Sequence, residues 1–328
     1  MPSLKRIDVH RPKLKKLTLE QFSFFLAGLI DADGHINKLG YLIISFHRRD
    51  LSVAYDIKKR IGYGTVSLVA DKKAGIFICS HPTGRRFIRQ LVKNKLMNQE
   101  RIKQYHRRLV PRLDIQKPTS TSKNTISCRR LLESESKQGL ALLPEGNCQP
   151  LLLPSSFAEA KERQKKQRRQ PLKALDEGRC PTINQTFVSL ETHWLAGFIQ
   201  GDGSFQIKCL SRNKGHEVRI VLQIDLKDVD ILDKIRKALG GGYIGYRASQ
   251  NTYYYSSVSF ARAAVLIRYL DKFQVRGSCA TLYTLWRKSY LIVQEKGHLS
   301  QRGFNRISKM KAQMSKLRSN EGIVPSIL

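Results

Sequence analysis

Leu26-Ala27-Gly28-Leu29-Ile30-Asp31-Ala32-Asp33-Gly34 and Leu195-Ala196-Gly197-Phe198-Ile199-Gln200-Gly201-Asp202-Gly203 are two copies of one nonapeptide. The second keeps the carboxylate at position eight and carries an amide at position six. Each closes an apolar stretch with helical spacing: Phe22, Phe25, Leu26 and Leu29 in the first, Trp194, Phe198 and Ile199 in the second. Both are therefore expected to be helices that stop at Gly34 and Gly203. Small residues recur four apart, Gly28 with Ala32 and Gly197 with Gly201, which clears one stripe of side chains and lets two backbones approach. Parallel packing along that stripe sets Asp33 and Asp202 side by side at the C-terminal helix ends. Helix dipole and like charge both disfavour a carboxylate there. A divalent cation between the two acids, held by carboxylate and backbone carbonyl oxygens in the manner of Mg²⁺, removes the conflict and points to metal-dependent phosphodiester chemistry.

After each nonapeptide the periodicity changes from helical to alternating and back. In the second half Ser204–Cys209 and Arg219–Ile224 alternate as strands of a hairpin. A helix over Asp228–Leu239 stops at Gly240-Gly241-Gly242, a second hairpin uses Tyr243–Tyr246 and Thr252–Phe260, and helices follow over Ala261–Phe273 and Cys279–Glu295. The first half repeats this order, with strands His35–Lys38 and Tyr41–His47, a helix Leu51–Arg60, strands Thr65–Ala70 and Gly75–Ser80, and helices Thr83–Lys93 and Gln99–Leu113. The fold class is α+β: two pseudo-symmetric αββαββα domains whose four-stranded antiparallel sheets pack through the paired helices.

The expected organisation is a basic N-terminal arm (1–17), a first domain (18–114), a linker or insertion (115–184), a second domain (185–296) and a basic C-terminal tail (297–328). The linker holds six of the eleven prolines, one aromatic residue (Phe157) and the run Lys161-Glu162-Arg163-Gln164-Lys165-Lys166-Gln167-Arg168-Arg169. Such a stretch cannot build a core and reads as a largely disordered basic segment, either an arm for nucleic acid or a tolerated insertion.

At 328 residues one chain can carry both domains as a monomer. Lys and Arg total 59 against 26 acidic residues, a net charge of +33, so the expected partner is a polyanion, with nucleic acid ahead of an anionic membrane. No apolar run approaches the roughly eighteen residues that span a bilayer. The six cysteines are scattered without a C-x-x-C pair, which speaks against zinc or a disulfide framework. The first 17 residues lack the apolar core of a secretory signal.

The first nonapeptide spells, letter for letter, the motif that names the LAGLIDADG homing endonucleases, and the second resembles the matching motif of their single-chain, two-motif members. The resemblance covers about residues 18–114 and 185–296. It implies that Asp33 and Asp202 hold the catalytic metals, two or more Mg²⁺ with Mn²⁺ as a substitute, aided by the backbone of Ala32 and Gly201. It further implies site-specific cleavage of double-stranded DNA at a long asymmetric target, one phosphodiester per strand, leaving short 3′ overhangs. Relatives often carry a basic residue near each acid. Lys95 or Arg101 is the candidate in the first half, whereas Cys279 occupies the corresponding place in the second and Arg276 is the nearest substitute. The family setting is an intron-encoded gene of a chloroplast or mitochondrion. A rival reading is an intron maturase that binds its own intron RNA, for which the basic linker and Arg302, Arg306, Lys309, Lys311, Lys316 and Arg318 are suited. Retention of both position-eight acids favours the nuclease.

The sheet faces turned away from the core offer the side chains for reading base edges in the major groove. In the first half these are His35, Asn37, Tyr41, Ser45, His47, Ser67 and Asp71; in the second, Ser204, Gln206, Lys208, Arg219, Gln223, Arg247, Tyr253, Tyr255 and Ser257.

Overall fold

The structure is a computed structural model and describes residues 6–69, 73–110, 187–212 and 215–319. The segment read as a linker, and Asp71, lie outside the described residues. Helix α1 (Leu19–Asp33) starts at a capping box in which Thr18 accepts from the Gln21 backbone and Gln21 reaches back. Its counterpart α5 (Trp194–Asp202) carries the second nonapeptide. Each motif helix runs directly into the first strand of its sheet. Gly34 and Gly203 do not take the left-handed turn of a glycine cap, having φ of −92° and −79°. Glycine is required there for space, since a Cβ would lie 2.7 Å from Ile30 Cα and 2.5 Å from the Ile199 carbonyl oxygen.

The first half continues β1 (Gly34–Ile36), β2 (Leu42–His47), α2 (Leu51–Ile61), β3 (Thr65–Leu68), β4 (Ala74–Cys79), α3 (Pro82–Val92) and α4 (Gln99–Gln104), the last extended by a π turn over Tyr105–Leu109. The second continues β5 (Gly203–Arg212), β6 (Gly215–Leu226), α6 (Val229–Ala238), β7 (Tyr243–Arg247), β8 (Thr252–Ser256), α7 (Phe260–Lys272) and α8 (Gly277–Gln294). Both sheets are antiparallel with the same order, β1-β2-β4-β3 and β5-β6-β8-β7. The strand expected to run to Phe260 ends at Ser256, because Ser259 caps α7 by accepting from the Arg262 backbone.

The seam between α1 and α5 brings two helix backbones into direct contact. A Cβ on Gly28 would sit 1.9 Å from the Trp194 carbonyl oxygen, and one on Gly197 2.0 Å from that of Phe25. Around it Phe22, Phe25, Leu26, Trp194, Leu195 and Phe198 are almost wholly buried and join both halves into one core.

Both basic terminal segments take part in the fold. Residues 6–17 run along α7 and α8 of the second half. The buried Arg287 guanidinium donates to the carbonyls of Asp8 (2.7 Å), Val9 (3.1 Å) and His10 (3.2 Å) while pairing with Asp271 at 2.9 Å. Within the stretch read as a tail, Gln301–Ser319 form helix α9, which buries Ile307 and Met314. No helix among the described residues is long and apolar enough to cross a membrane.

Two outcomes follow. Gly197→Ala should destabilise the fold by about 3 kcal/mol, the upper end for overpacking, because the backbone it meets cannot yield as a side chain can; an unchanged urea midpoint would contradict this. Arg287→Ala should cost about 3–5 kcal/mol by leaving Asp271 without its buried ion-pair partner and three strap carbonyls without their donor. A thermal melt of the variant checks it.

Candidate functional site

At the C-terminal ends of α1 and α5 the small residues bring the acids together. A Cβ on Gly201 would lie 2.7 Å from Ala32 Cβ and 2.8 Å from Asp33 Oδ2, so Asp33 fits only against a glycine. Asp202 Oδ2 is buried without a hydrogen-bond partner. Burial pushes Asp202 up to about 7, reinforced by the charge of Asp33 and opposed by Arg101. Asp33 keeps one side open to solvent yet is raised to about 6, chiefly by desolvation of its carboxylate against the helix seam, with Arg101 lowering and Asp50 raising it. Two acids held at such cost, one with an orphaned oxygen, fit a divalent cation. Among the described residues no group of three or more His, Cys, Asp and Glu could hold a metal. A Mg²⁺ that takes one or two carboxylates and completes its shell with water and substrate phosphates needs no third acid.

Position six has a different task. Asp31, fully buried, accepts from the backbone N–H of Met97 (2.7 Å) and Asn98 (3.2 Å) and from Trp194 Nε1 (2.9 Å). Gln200 accepts from the backbone N–H of Arg276 at 2.8 Å. In both halves position six ties the motif helix to the loop that opens α4 or α8. An amide serves there as well as a carboxylate, since only an acceptor is needed.

Of the three basic candidates, the structure brings one to the acids. Arg101 acts electrostatically on Asp31, Asp33 and Asp202, and its Nε is buried without a partner. Lys95 lies over the Phe24 ring and donates to the Leu91 carbonyl at 3.0 Å. Phe24 is nine residues back along α1 from Asp33, about 13 Å at the helical rise. Arg276 turns away as well, donating to the Lys15 carbonyl and sensing Asp56 and Arg60.

The strand register fixes which side chains share the open faces. On the first sheet His35, Ile43, Ser45, His47, Thr65, Ser67, Ile76 and Ile78 lie together. Asn37 is not on the sheet; its Oδ1 accepts from the backbones of Leu39 and Tyr41 and shapes the turn. The Tyr41 ring lies under the Arg85 guanidinium. On the second sheet Ser204, Gln206, Lys208, Arg219, Gln223 and Arg247 share the open face. Tyr253, Tyr255 and Ser257 do not. Tyr255 pairs with Ile224 and Tyr253 with Leu226 on the core side, and the Tyr255 hydroxyl donates to the Gly241 carbonyl. Ser257 is buried, its Oγ accepting from the Leu222 backbone. A shift of one residue along a strand exchanges its faces, so Thr252, Tyr254 and Ser256 are the outward set. Asp225 was also missed. It joins Gln206, Gln223 and Arg247 in a chain of hydrogen bonds, Gln206 to Gln223 at 3.1 Å, Gln223 to Asp225 at 2.7 Å and Arg247 to Asp225 at 2.8 Å. Its place opposite Tyr254 is the signal that strand alternation contains.

The "Uncharacterized cox1 intron-2 37.2 kDa protein" of Schizosaccharomyces pombe is 36% identical over 306 residues, 93% of this chain and 76% of that protein. The LAGLIDADG endonuclease profile matches residues 195–290. The chain belongs to the LAGLIDADG endonuclease family. "Probable intron-encoded endonuclease 3" of Neurospora crassa is 28% identical over 133 residues, 39% of this chain and 25% of that one. In three dimensions the chain resembles the I-SmaMI LAGLIDADG homing endonuclease solved bound to cleaved DNA, with a TM-score of 0.57 covering 94% of this chain and 99% of that one. At 19% identity this is a likeness of fold. The same protein has been solved bound to uncleaved DNA with calcium ions, at 20% identity and a TM-score of 0.57.

The acid pair gives a stability signature. Asp33 and Asp202 titrate near 3.8 when unfolded and at about 6 and 7 when folded, so the fold binds the extra protons. Their contribution is most favourable below the unfolded value and is lost as pH rises through the folded values. In EDTA, Asp202→Asn should therefore gain thermal stability over the wild type between pH 5 and pH 8, and Mg²⁺ should narrow the gap. A gap that does not change with pH would contradict the burial of the pair.

Proposed function

We propose that the protein is a monomeric, Mg²⁺-dependent, site-specific DNA endonuclease. The observation that carries this reading is the pairing of Asp33 and Asp202 at apposed helix ends, with one oxygen of Asp202 buried and unpartnered. Divalent cations bound there would activate the attacking water and stabilise the leaving 3′ oxygen of one phosphodiester in each strand. The chain's own part is positional. Asp31 and Gln200 fix the loops that open α4 and α8, Arg101 sets positive charge beside the acids, and the outward residues of the two sheets hold the duplex in the major groove. The two faces differ in chemistry, isoleucines and histidines against glutamines, Arg247 and Tyr254, which suits a long asymmetric target. The family resemblance implies cleavage across the minor groove with short 3′ overhangs. The cox1 intron in the name of the Schizosaccharomyces pombe relative supports an intron-encoded gene, in a mitochondrion rather than a chloroplast.

Incubating purified protein with a plasmid library of intronless organellar gene junctions, with Mg²⁺ or EDTA, and sequencing the ends tests this. Discrete Mg²⁺-dependent ends with short 3′ overhangs are expected. Asp33→Asn and Asp202→Asn should each abolish double-strand cleavage while duplex binding stays within about threefold, because the cations rather than the acids meet the phosphates. Absence of cleavage together with tight, salt-sensitive binding of intron RNA would place RNA splicing first.

A further inference from the structure

The two halves are built alike but are not equipped alike. Asn98 caps α4 and Arg276 precedes α8, and each loop is held by the position-six side chain of its own half. Three residues on, these matched helices carry Arg101 in the first half and Cys279 in the second. Arg101 sets its charge beside the acid pair, whereas Cys279 is buried with its sulfur 4.0 Å from the Ile199 carbonyl oxygen, and burial pushes its thiol far above the ordinary range. On internal symmetry alone the second half lacks a cation.

Two guanidinium groups converge on that place from elsewhere in the chain. Ser278, next to Cys279, donates to Asp50 through both its backbone N–H (2.9 Å) and its hydroxyl (2.8 Å). Asp50 brings with it Arg49, whose Nε lies 3.6 Å from Asp50 Oδ2 and has no hydrogen-bond partner. Arg49 donates through Nη1 to the carbonyls of Leu317 (3.2 Å) and Arg318 (3.3 Å), which fastens the end of α9 here. Arg318 in turn donates to the Phe205 carbonyl, three residues beyond Asp202. Cys279 senses both guanidinium groups and Asp50, and Asp50 in turn acts on Asp33, which links the two arginines to the edge of the acid pair. Arg318 also lines a cavity of about 370 Å³ between β5 and α9, together with Gln206, Lys208, Lys311 and Ser315 and with no carboxylate. Gln206 and Lys208 belong to the open sheet face, so an anionic group arriving with a bound duplex can enter this space.

We infer that Arg318, delivered by the C-terminal helix and held in place by Arg49, supplies to the second half the positive charge that Arg101 supplies to the first. The inference rests on the nuclease reading and adds that the two scissile phosphates are served by cations of different origin. Arg318 faces the phosphate of one strand, and Arg49 is a positioning residue that acts through it. A preorganised cation beside a phosphate on which charge develops is worth about 10²–10³ in rate, and its loss is felt only by the strand it faces.

The test uses the full chain and the duplex recovered by the library selection, with a different fluorophore on each strand. Arg318→Ala should slow one strand about 10²-fold and leave the other within about threefold, so that nicked duplex accumulates. Arg101→Ala should slow the opposite strand. Arg318→Lys should restore most of the lost rate, and Cys279→Lys added to Arg318→Ala should recover it by placing a cation where Arg101 stands in the other half. Arg318→Gln keeps a donor for the Phe205 carbonyl without the charge, and should nick as Arg318→Ala does even if the alanine variant folds poorly. Duplex affinity in Ca²⁺ should stay within about twofold for all variants, placing the loss in the rate of the step rather than in binding. Equal slowing of both strands, no slowing in Arg318→Gln, or no recovery in a Cys279→Lys double variant that melts like the wild type would overturn the assignment. If the wild type itself cuts neither strand, the nuclease reading fails and takes this assignment with it.

Discussion

The structure depends on the contact of two helix backbones at Gly28 and Gly197. Neither position has room for a methyl group. The contact sets the separation of the helix ends, and through them the separation of Asp33 and Asp202. The same approach that stabilises the seam forces two carboxylates together at the unfavourable ends of two dipoles. Packing energy gathered along α1 and α5 from Phe25, Leu26, Trp194 and Phe198 sustains that local strain. A site held this way gains when a cation arrives, because neutralising the pair relieves repulsion that the packing will not let it escape.

Around this centre the halves share a topology but divide the remaining work unevenly. The strap of residues 6–17 and the helix Gln301–Ser319 both pack on the second half, so that half carries the chain ends described here. Arg287 and Arg49 each use a planar fork of donors to collect backbone carbonyls, Arg287 from the strap and Arg49 from the last turn of α9, a role a lysine fills poorly. The net positive charge is thus partly structural. Several of the arginines that a composition count assigns to nucleic acid are spent on holding the fold.

Much of this is legible in the sequence where periodicity and repetition act together. The two nonapeptides define the paired helices, and the glycines that follow the apolar stripe mark where backbones can meet. The element order follows from the alternation between helical and strand spacing. What periodicity could not give was the phase of β8, where Thr252-Tyr253-Tyr254-Tyr255-Ser256 offers three identical rings and no apolar marker for the inner face. The choice between Lys95, Arg101 and Arg276 was equally hidden, because it depends on which way a loop turns after its helix. Polar turns hid their roles as well: Asn37 looks like a base reader but spends its oxygen on its own backbone. The basic stretch after Leu299 gave little sign of a packed helix, since Ile307 and Met314 are spaced at seven within a run dominated by charge.

The central claim is that Asp33 and Asp202 together hold the divalent cations. Anomalous scattering from Mn²⁺ in crystals of the protein with its cognate duplex tests it most directly. Manganese peaks bonded to a carboxylate oxygen of Asp33 and of Asp202 are the expected result. Peaks bound elsewhere on the chain, with the two acids free of metal, would contradict it.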